Sequence, residues 1–381
     1  MPELPEVETV ARDLRGLVVG ARISGSRNSW VRTLRSQDPE FFDAAVRGRT
    51  IVATSRRAKL VVLDLDDDSA ITIHLKMTGQ LFVVPAERPE DPYVRHVIAF
   101  DDGRELRFRD IRKFGRIGLA RRDGPGGDLR GELGGQKGFK GFGPEPLDSA
   151  FTARAFRKGI RTRRGRLKPL LLDQSFIAGI GNIYADEALW AARLHPLRSA
   201  ATLRPADEGR LYRAIRGILT EAVERRGSSI DDYTAPDGDG SMQERLNVYQ
   251  RAGEPCPRCG RPIRRIVVGG RATHFCSWCQ RLSPADRVGA AAILRGMVPR
   301  PGRGTSGKRG PRWTELDGEG SLGRTPREEA EAASRSRAER TRRAAASRRA
   351  AARASAGTVP SAGATPSAGR FPGAGTPPEP G

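Results

Sequence analysis

Two closely spaced cysteine pairs constrain this chain more than any other feature. Cys256 and Cys259 form one CxxC, Cys276 and Cys279 form a second, and sixteen residues separate them. A CxxC turn aims two thiolates at one point. Two such turns on a β-hairpin complete a tetrahedral all-sulfur site of the structural zinc kind, with no position left open for catalysis. Redox cysteines and simple buried thiols are the alternatives; the spacing favours one structural Zn²⁺. The intervening RPIRRIVVGGRATHF reads as the hairpin, two β-rich arms with Gly269 and Gly270 at the turn. Four cysteines fill the site and leave His274 a structural place. Two close pairs are also poor material for a secreted disulfide framework.

The hairpin is dense in arginine, with Arg261, Arg264, Arg265, Arg271 and Arg281, and the 381-residue chain carries a formal net charge of +22. Such a surplus points to a polyanionic partner: nucleic acid first, an anionic membrane surface second. No apolar run approaches the roughly 18 residues of a spanning helix. The N-terminal MPELPEVETV has acids where a signal peptide has bases and then an apolar stretch. The expectation is a soluble, cytoplasmic protein with no membrane role. A zinc-pinned basic ribbon suits a DNA groove.

Along the chain, Leu4, Val7, Val10, Ala11, Leu14, Leu17 and Val18 share one helical face. From about 50 to 120 the pattern turns to seven short β-rich runs, IVATS through RIGLA, separated by turn-like DDDS, PAERPEDP and DDG. They predict an antiparallel sandwich or barrel rather than a βαβ sheet. A Gly-rich stretch near 124–143, ending in GPEPLD, reads as a surface loop and linker. Helices are expected over 149–159, 168–178, 183–193 and 205–226, with the tight connection AGIGN between the middle two. Beyond about 299 the composition collapses into Arg, Ala, Ser, Gly and Pro. The expectation there is a disordered basic tail, with an intermittent helix over 327–354 as a variant.

At the N-terminus, removal of Met1 would leave Pro2 as a secondary amine whose pKa is close enough to neutrality for nucleophilic work. Attack on a sugar C1′ gives an iminium that acidifies the C2′ proton and permits β-elimination; the adjacent Glu3 can move protons. By themselves these residues fit a helix start better, with proline near N1 and acids in the first turn.

MPELPEVETV, KPLLLDQ, AGIGNIYADE and CPRCG…RATHFCSWCQR together resemble the formamidopyrimidine-DNA glycosylase / endonuclease VIII family, most of all its bacterial formamidopyrimidine-DNA glycosylase branch, from residue 1 to about 283. The resemblance implies an α+β multidomain fold: an N-terminal β-sandwich with an N-terminal helix (1–123), a Gly-rich linker (124–146), a helical helix–two-turns–helix domain with a lesion-capping loop (147–246), a four-cysteine C-terminal zinc finger (247–283), and the tail (299–381). It implies a monomeric DNA-repair enzyme, a glycosylase and AP lyase, acting on duplex DNA with oxidised bases or abasic sites. Pro2 would be the Schiff-base nucleophile, Glu3 the acid that opens the sugar, Lys59 an aid to elimination, and Arg271 the residue tied to the second, δ, elimination. Met77 would fill the void left by an everted base. Arg112 and Phe114 would meet the orphan base and wedge the stack. Phosphate contacts would come from His74, His96, Arg164, Lys168 and Asn182. Where the family reads DPRRFG this chain reads DIRKFG, while the segment from RRGSSIDDYTAP to NVYQR resembles the loop that closes over 8-oxoguanine. Oxidised purines are therefore the expected lesions, oxidised pyrimidines or non-catalytic damage binding the alternatives.

Overall fold

The structure, a computed structural model, describes residues 1–34, 37–123, 129–133, 136–137, 141–229 and 240–295. The predicted tail, the helix considered at 327–354, and the centre of the lesion-capping loop (230–239) lie outside the described residues.

The chain opens with helix α1 (Leu4–Val18). Its apolar face is the expected one except at Leu17, which is 40% exposed. Ten strands follow: β1 (Ile23–Asn28), β2 (Ile51–Arg57), β3 (Leu60–Leu65), β4 (Ser69–His74), β5 (Gly79–Pro85), β6 (Val94–Phe100), β7 (Arg104–Asp110), β8 (Arg116–Arg122), β9 (Leu129–Leu133) and β10 (Gln136–Lys137), with helix α2 (Pro39–Val46) between β1 and β2. They form a four-stranded sheet, β1-β6-β7-β5, and a six-stranded sheet, β10-β9-β8-β4-β3-β2. One apolar core lies between them. Val61, Leu63, Ile71, Ile73 and Ile117 come from the larger sheet, and Leu81, Ile98, Leu106 and Phe108 from the smaller. Alternation places these side chains on the inner faces. The architecture is a sandwich.

Helices α3 (Ala153–Arg161), α4 (Leu167–Leu172), α5 (Asn182–Ala191) and α6 (Pro205–Glu224) build the helical domain. The helix expected over 168–178 stops at Leu172. Beyond it the Asp173 carboxylate takes the Ser175 amide, and the Gln174 side chain bridges Gly179 N–H and the Ile180 carbonyl, which holds a turn. Strands β11 (Arg264–Val268) and β12 (Arg271–Phe275) pair across Gly269 and Gly270, both at positive φ. The last helix among the described residues, α7 (Pro284–Arg295), packs on β11.

Five elements went unread in the sequence. The segment ISGSRN of β1 has no apolar alternation, and α2 is only eight residues long. In the stretch taken as a loop, β9 and β10 extend the larger sheet. Leu129 is buried against Leu60, Val62, Ala70 and Ala120, so one leucine among glycines is enough to anchor a strand. Helix α7 is the fifth.

Helix α1 belongs to both halves. Leu4 enters the helical core with Ile177, Ile180 and Tyr184, whereas Val7 to Val18 enter the sandwich core. Its first turn therefore stands at the junction, and the site is built there.

Candidate active site and zinc centre

Buried Glu3 is fixed by the other half of the molecule. Its carboxylate accepts the amides of Gly181 (2.7 Å), Ile183 (2.9 Å) and Tyr184 (3.4 Å), which lie at the N-terminal end of α5. These are the free N–H groups and positive dipole end of a helix, a natural seat for a carboxylate. Gly181 leaves the room: a Cβ there would stand 2.3 Å from Glu3 Cδ. The Glu3 pKa is raised, by burial first and by the Glu6 charge; Lys59 and the Ile183 amide oppose the shift.

Glu6, which sequence reasoning passed over, holds this turn. It accepts the Glu3 amide (2.8 Å), the Tyr184 hydroxyl (2.6 Å) and the Ser228 amide (2.8 Å). A glutamate three residues after a helix start is the signal that could have found it.

Beside Glu3 opens a cavity of about 200 Å³ lined by Met1, Lys59, His74, Lys76, Gln174 and Arg271 among others. Pro2 is buried next to Met1. Lys59, in the turn between β2 and β3, is buried. Its pKa is lowered by that burial and by Arg271 and Lys76, against the pull of Glu3 and Glu6. His74 accepts the Lys76 amide at 3.1 Å, and burial plus Lys76, Lys59 and Arg116 hold it well below the usual histidine range, so it is neutral. Arg271 is exposed at the first residue after the hairpin turn. Lys76 and Gln174 were not singled out in the sequence, although Lys76 sits in the motif IHLKMTG.

Met77, Arg112 and Phe114 lie on two neighbouring turns tied by one carboxylate. Asp110 accepts from Thr78 Oγ1 and from the Gly115 amide (2.6 Å), and Thr78 Oγ1 accepts the Arg112 amide (3.2 Å). Phe114 is 47% exposed, with the Arg112 guanidinium 5.1 Å from its ring centroid. Arg164 is exposed. Asn182 donates to the Ala272 carbonyl at 3.0 Å, joining α5 to β12.

Two expected phosphate contacts sit elsewhere. Lys168 has no exposed side-chain surface; its ammonium binds Asp186 and the Asn182 carbonyl. The other Asp186 oxygen accepts the His274 amide at 2.9 Å, which gives His274 its structural place. Lys168 is thus a buried link between α4, α5 and β12, because α5 supplies its counter-charge inside the fold. His96 is 1% exposed on the inner face of β6, edge-on to Phe42. Burial and then Arg27 push its pKa down to about 3, and neither ring nitrogen has a partner among the described residues. Alternation along β6 sets this side chain on the same face as the core residues Ile98 and Phe100.

The four cysteine sulfurs lie within 4.8 Å of one another. A tetrahedral zinc thiolate site, with Zn–S near 2.3 Å, needs sulfurs about 3.8 Å apart. Trp190 Nε1 and the Cys279 amide point at Cys256 Sγ (3.4 Å) and Cys276 Sγ (3.5 Å), donors that suit thiolates. The residues fit one structural zinc. Bound there, it fixes the open end of the hairpin whose other end carries Arg271.

A sandwich joined to a helical domain, a zinc-pinned basic hairpin and a cavity at the junction define a zinc-finger DNA glycosylase. The formamidopyrimidine-DNA glycosylase N-terminal domain matches residues 1–117, the H2TH domain of the same enzymes 142–234, and the zinc finger found in FPG and IleRS 253–282. The formamidopyrimidine-DNA glycosylase of Herpetosiphon aurantiacus is 45% identical over 282 residues, 74% of this chain and 100% of that protein. Among solved structures, MutM (FPG) from Thermus thermophilus is 41% identical with a TM-score of 0.63, and Lactococcus lactis Fpg in complex with DNA containing an abasic site is 34% identical with a TM-score of 0.65. In each case 74% of this chain and 100% of the other are covered. The chain belongs to the formamidopyrimidine-DNA glycosylase family. It is a DNA-binding repair enzyme with that family's glycosylase and AP lyase activities.

Proposed function

We propose that this enzyme excises oxidised purines, 8-oxoguanine and formamidopyrimidines, from duplex DNA by covalent catalysis at Pro2. The observation that carries the reading is one cavity lined by Met1, Lys59 and Arg271, with Gly181, whose amide seats the Glu3 carboxylate, on its wall. Removing Met1 would leave the Pro2 nitrogen facing the space that Met1 now lines. The amine adds to C1′, the base leaves with a proton, and Glu3 protonates the sugar ring oxygen as the ring opens to an iminium. Loss of the C2′ proton expels the 3′ phosphate; a second elimination expels the 5′ phosphate. Lys59, with its lowered pKa, is suited to proton transfer in the first elimination, and Arg271 to holding the phosphate that leaves in the second.

Met77, Arg112 and Phe114 serve as filler, reader and wedge at the everted base, and His74, Arg164 and Asn182 meet the phosphates. The protein acts as a monomer. Its working domains are the sandwich (1–123), the helical domain (147–246) with its lesion-capping loop, and the zinc finger (247–283). The segment 124–146 joins the first two, and the tail beyond about 299 adds non-specific attraction to DNA.

The test is borohydride trapping on a duplex with 8-oxoguanine opposite cytosine. A covalent adduct is expected, absent in Pro2→Gly. An adduct only on an abasic duplex would shift the lesion to oxidised pyrimidines; none on either would remove Pro2 as nucleophile.

A further inference from the structure

Helix α7 begins beyond the zinc-finger match, which ends at 282, and the Herpetosiphon relative is matched in full by 282 residues. Yet it is packed into the zinc-pinned hairpin that carries Arg271. The inner face of the hairpin consists of Ile266, Val268 and Phe275, all nearly fully buried, and Ala290, Ile293 and Leu294 of α7 pack there together with Leu197. A two-stranded hairpin is marginal without a covered apolar face. Zinc secures only the open end, where Cys259 precedes β11 and Cys276 follows β12. Toward the tip, α7 covers Ile266 and Val268.

Polar contacts tie the same helix to the helical domain. Asp286 accepts the Ser199 amide (3.2 Å) and the Thr202 hydroxyl (3.1 Å). Ser199 Oγ in turn donates to the Arg164 carbonyl (3.1 Å), and Arg166 donates to the Gly289 carbonyl. The helix start is held by Ser283, whose hydroxyl accepts the Asp286 amide at 3.2 Å. One short helix thus touches the Arg164 loop, the segment 197–202 and the hairpin of Arg271.

We propose that α7 is a strut that holds the Arg271 hairpin and the Arg164 loop in one fixed geometry for the duplex, with Asp286 and Ala290 as its positioning residues. Holding both cationic elements in place before DNA arrives lowers the ordering cost of binding, so the strut sets affinity rather than the rate of base excision. The DNA part of this inference rests on the function proposed above; the mechanical part does not.

Two full-chain variants test it. Ala290→Asp puts an unpaired carboxylate among Ile266, Val268 and Phe275; Asp286→Ala removes the tie to Ser199 and Thr202 and applies equally if the first variant fails to fold. Hydrogen exchange without DNA should quicken about tenfold or more in 162–166 and 264–275 while β2 to β8 keep their protection. The Kd for a duplex with a stable abasic analogue should rise about tenfold, with the single-turnover rate of base excision at saturating enzyme unchanged. Unchanged protection in the hairpin, loss spread evenly over the molecule, or a loosened hairpin with unchanged Kd would each overturn the proposal. If the unaltered protein does not bind the duplex, the functional reading fails instead, and the exchange pattern alone decides whether α7 is a strut.

Discussion

Glu3 sits under opposed influences, burial favouring its neutral form and the α5 amides its anion; burial prevails and the pKa is raised. The acid form therefore persists to higher pH than in a free glutamate. Under single-turnover conditions excision should decline as pH rises through this elevated pKa. In Glu3→Gln the rate should fall by about 10²–10⁴ and lose that limb; a limb left in place would assign it to another group. The stability sign is the same. The folded state holds the proton more tightly than the unfolded chain, so ionisation subtracts stability between the ordinary and the raised pKa. Lys168 shows what sequence reading could not see. Its motif, KPLLLDQ, was recognised, but only the fold reveals that Asp186 lies within 2.5 Å and that neither side chain meets water. Asp186→Ala, which leaves a buried ammonium unpaired, should cost about 3–5 kcal/mol in a urea melt. Lys168→Met with Asp186→Leu should recover most of it. Equal losses in both proteins would show that the pair stabilises the fold by its charges.

At the scale of elements, β2 to β8 were legible because short apolar runs alternate with Asp- and Gly-rich turns. The zinc hairpin was legible because four thiols at fixed spacing admit few geometries. Strand β1, built from polar and small residues, owes its pairing to β6 and could not announce itself. Helix α7 was silent for a similar reason: PADRVGAAAILR offers alanines, whose apolar face acquires meaning only against Ile266 and Val268. His96 shares the inner face of β6 with Ile98 and Phe100 by plain alternation, so the strand HVIAF itself turns it away from the phosphates. The turn before α5 carries its own prediction. In Gly181→Ala the new methyl cannot coexist with the Glu3 carboxylate, so excision should fall by roughly 100-fold or more, while binding to an abasic-analogue duplex stays within about threefold. Loss of binding to the same extent as excision would show that the turn shapes the DNA surface and not the acid alone.

For the whole molecule, charge is the governing quantity. Residues 299–381 contain sixteen Lys and Arg against eight Asp and Glu, about +8 of the +22. If this segment tethers DNA, a chain ending at 298 should show a flatter dependence of log K on log salt, by roughly 0.9 for each phosphate that the tail would otherwise neutralise. An unchanged slope would sink the tether. The junction has a different meaning. Glu3, the acid proposed to open the sugar, stands at the start of α1, but the amides that seat it belong to α5, nearly 180 residues later in the chain. Neither half is armed alone. An enzyme able to break DNA strands is a hazard to the cell while it is being made, and this arrangement works as a safety catch. The growing chain would emerge with its proposed nucleophile first, yet that end has no seated Glu3 carboxyl until α5 has been synthesised and has docked.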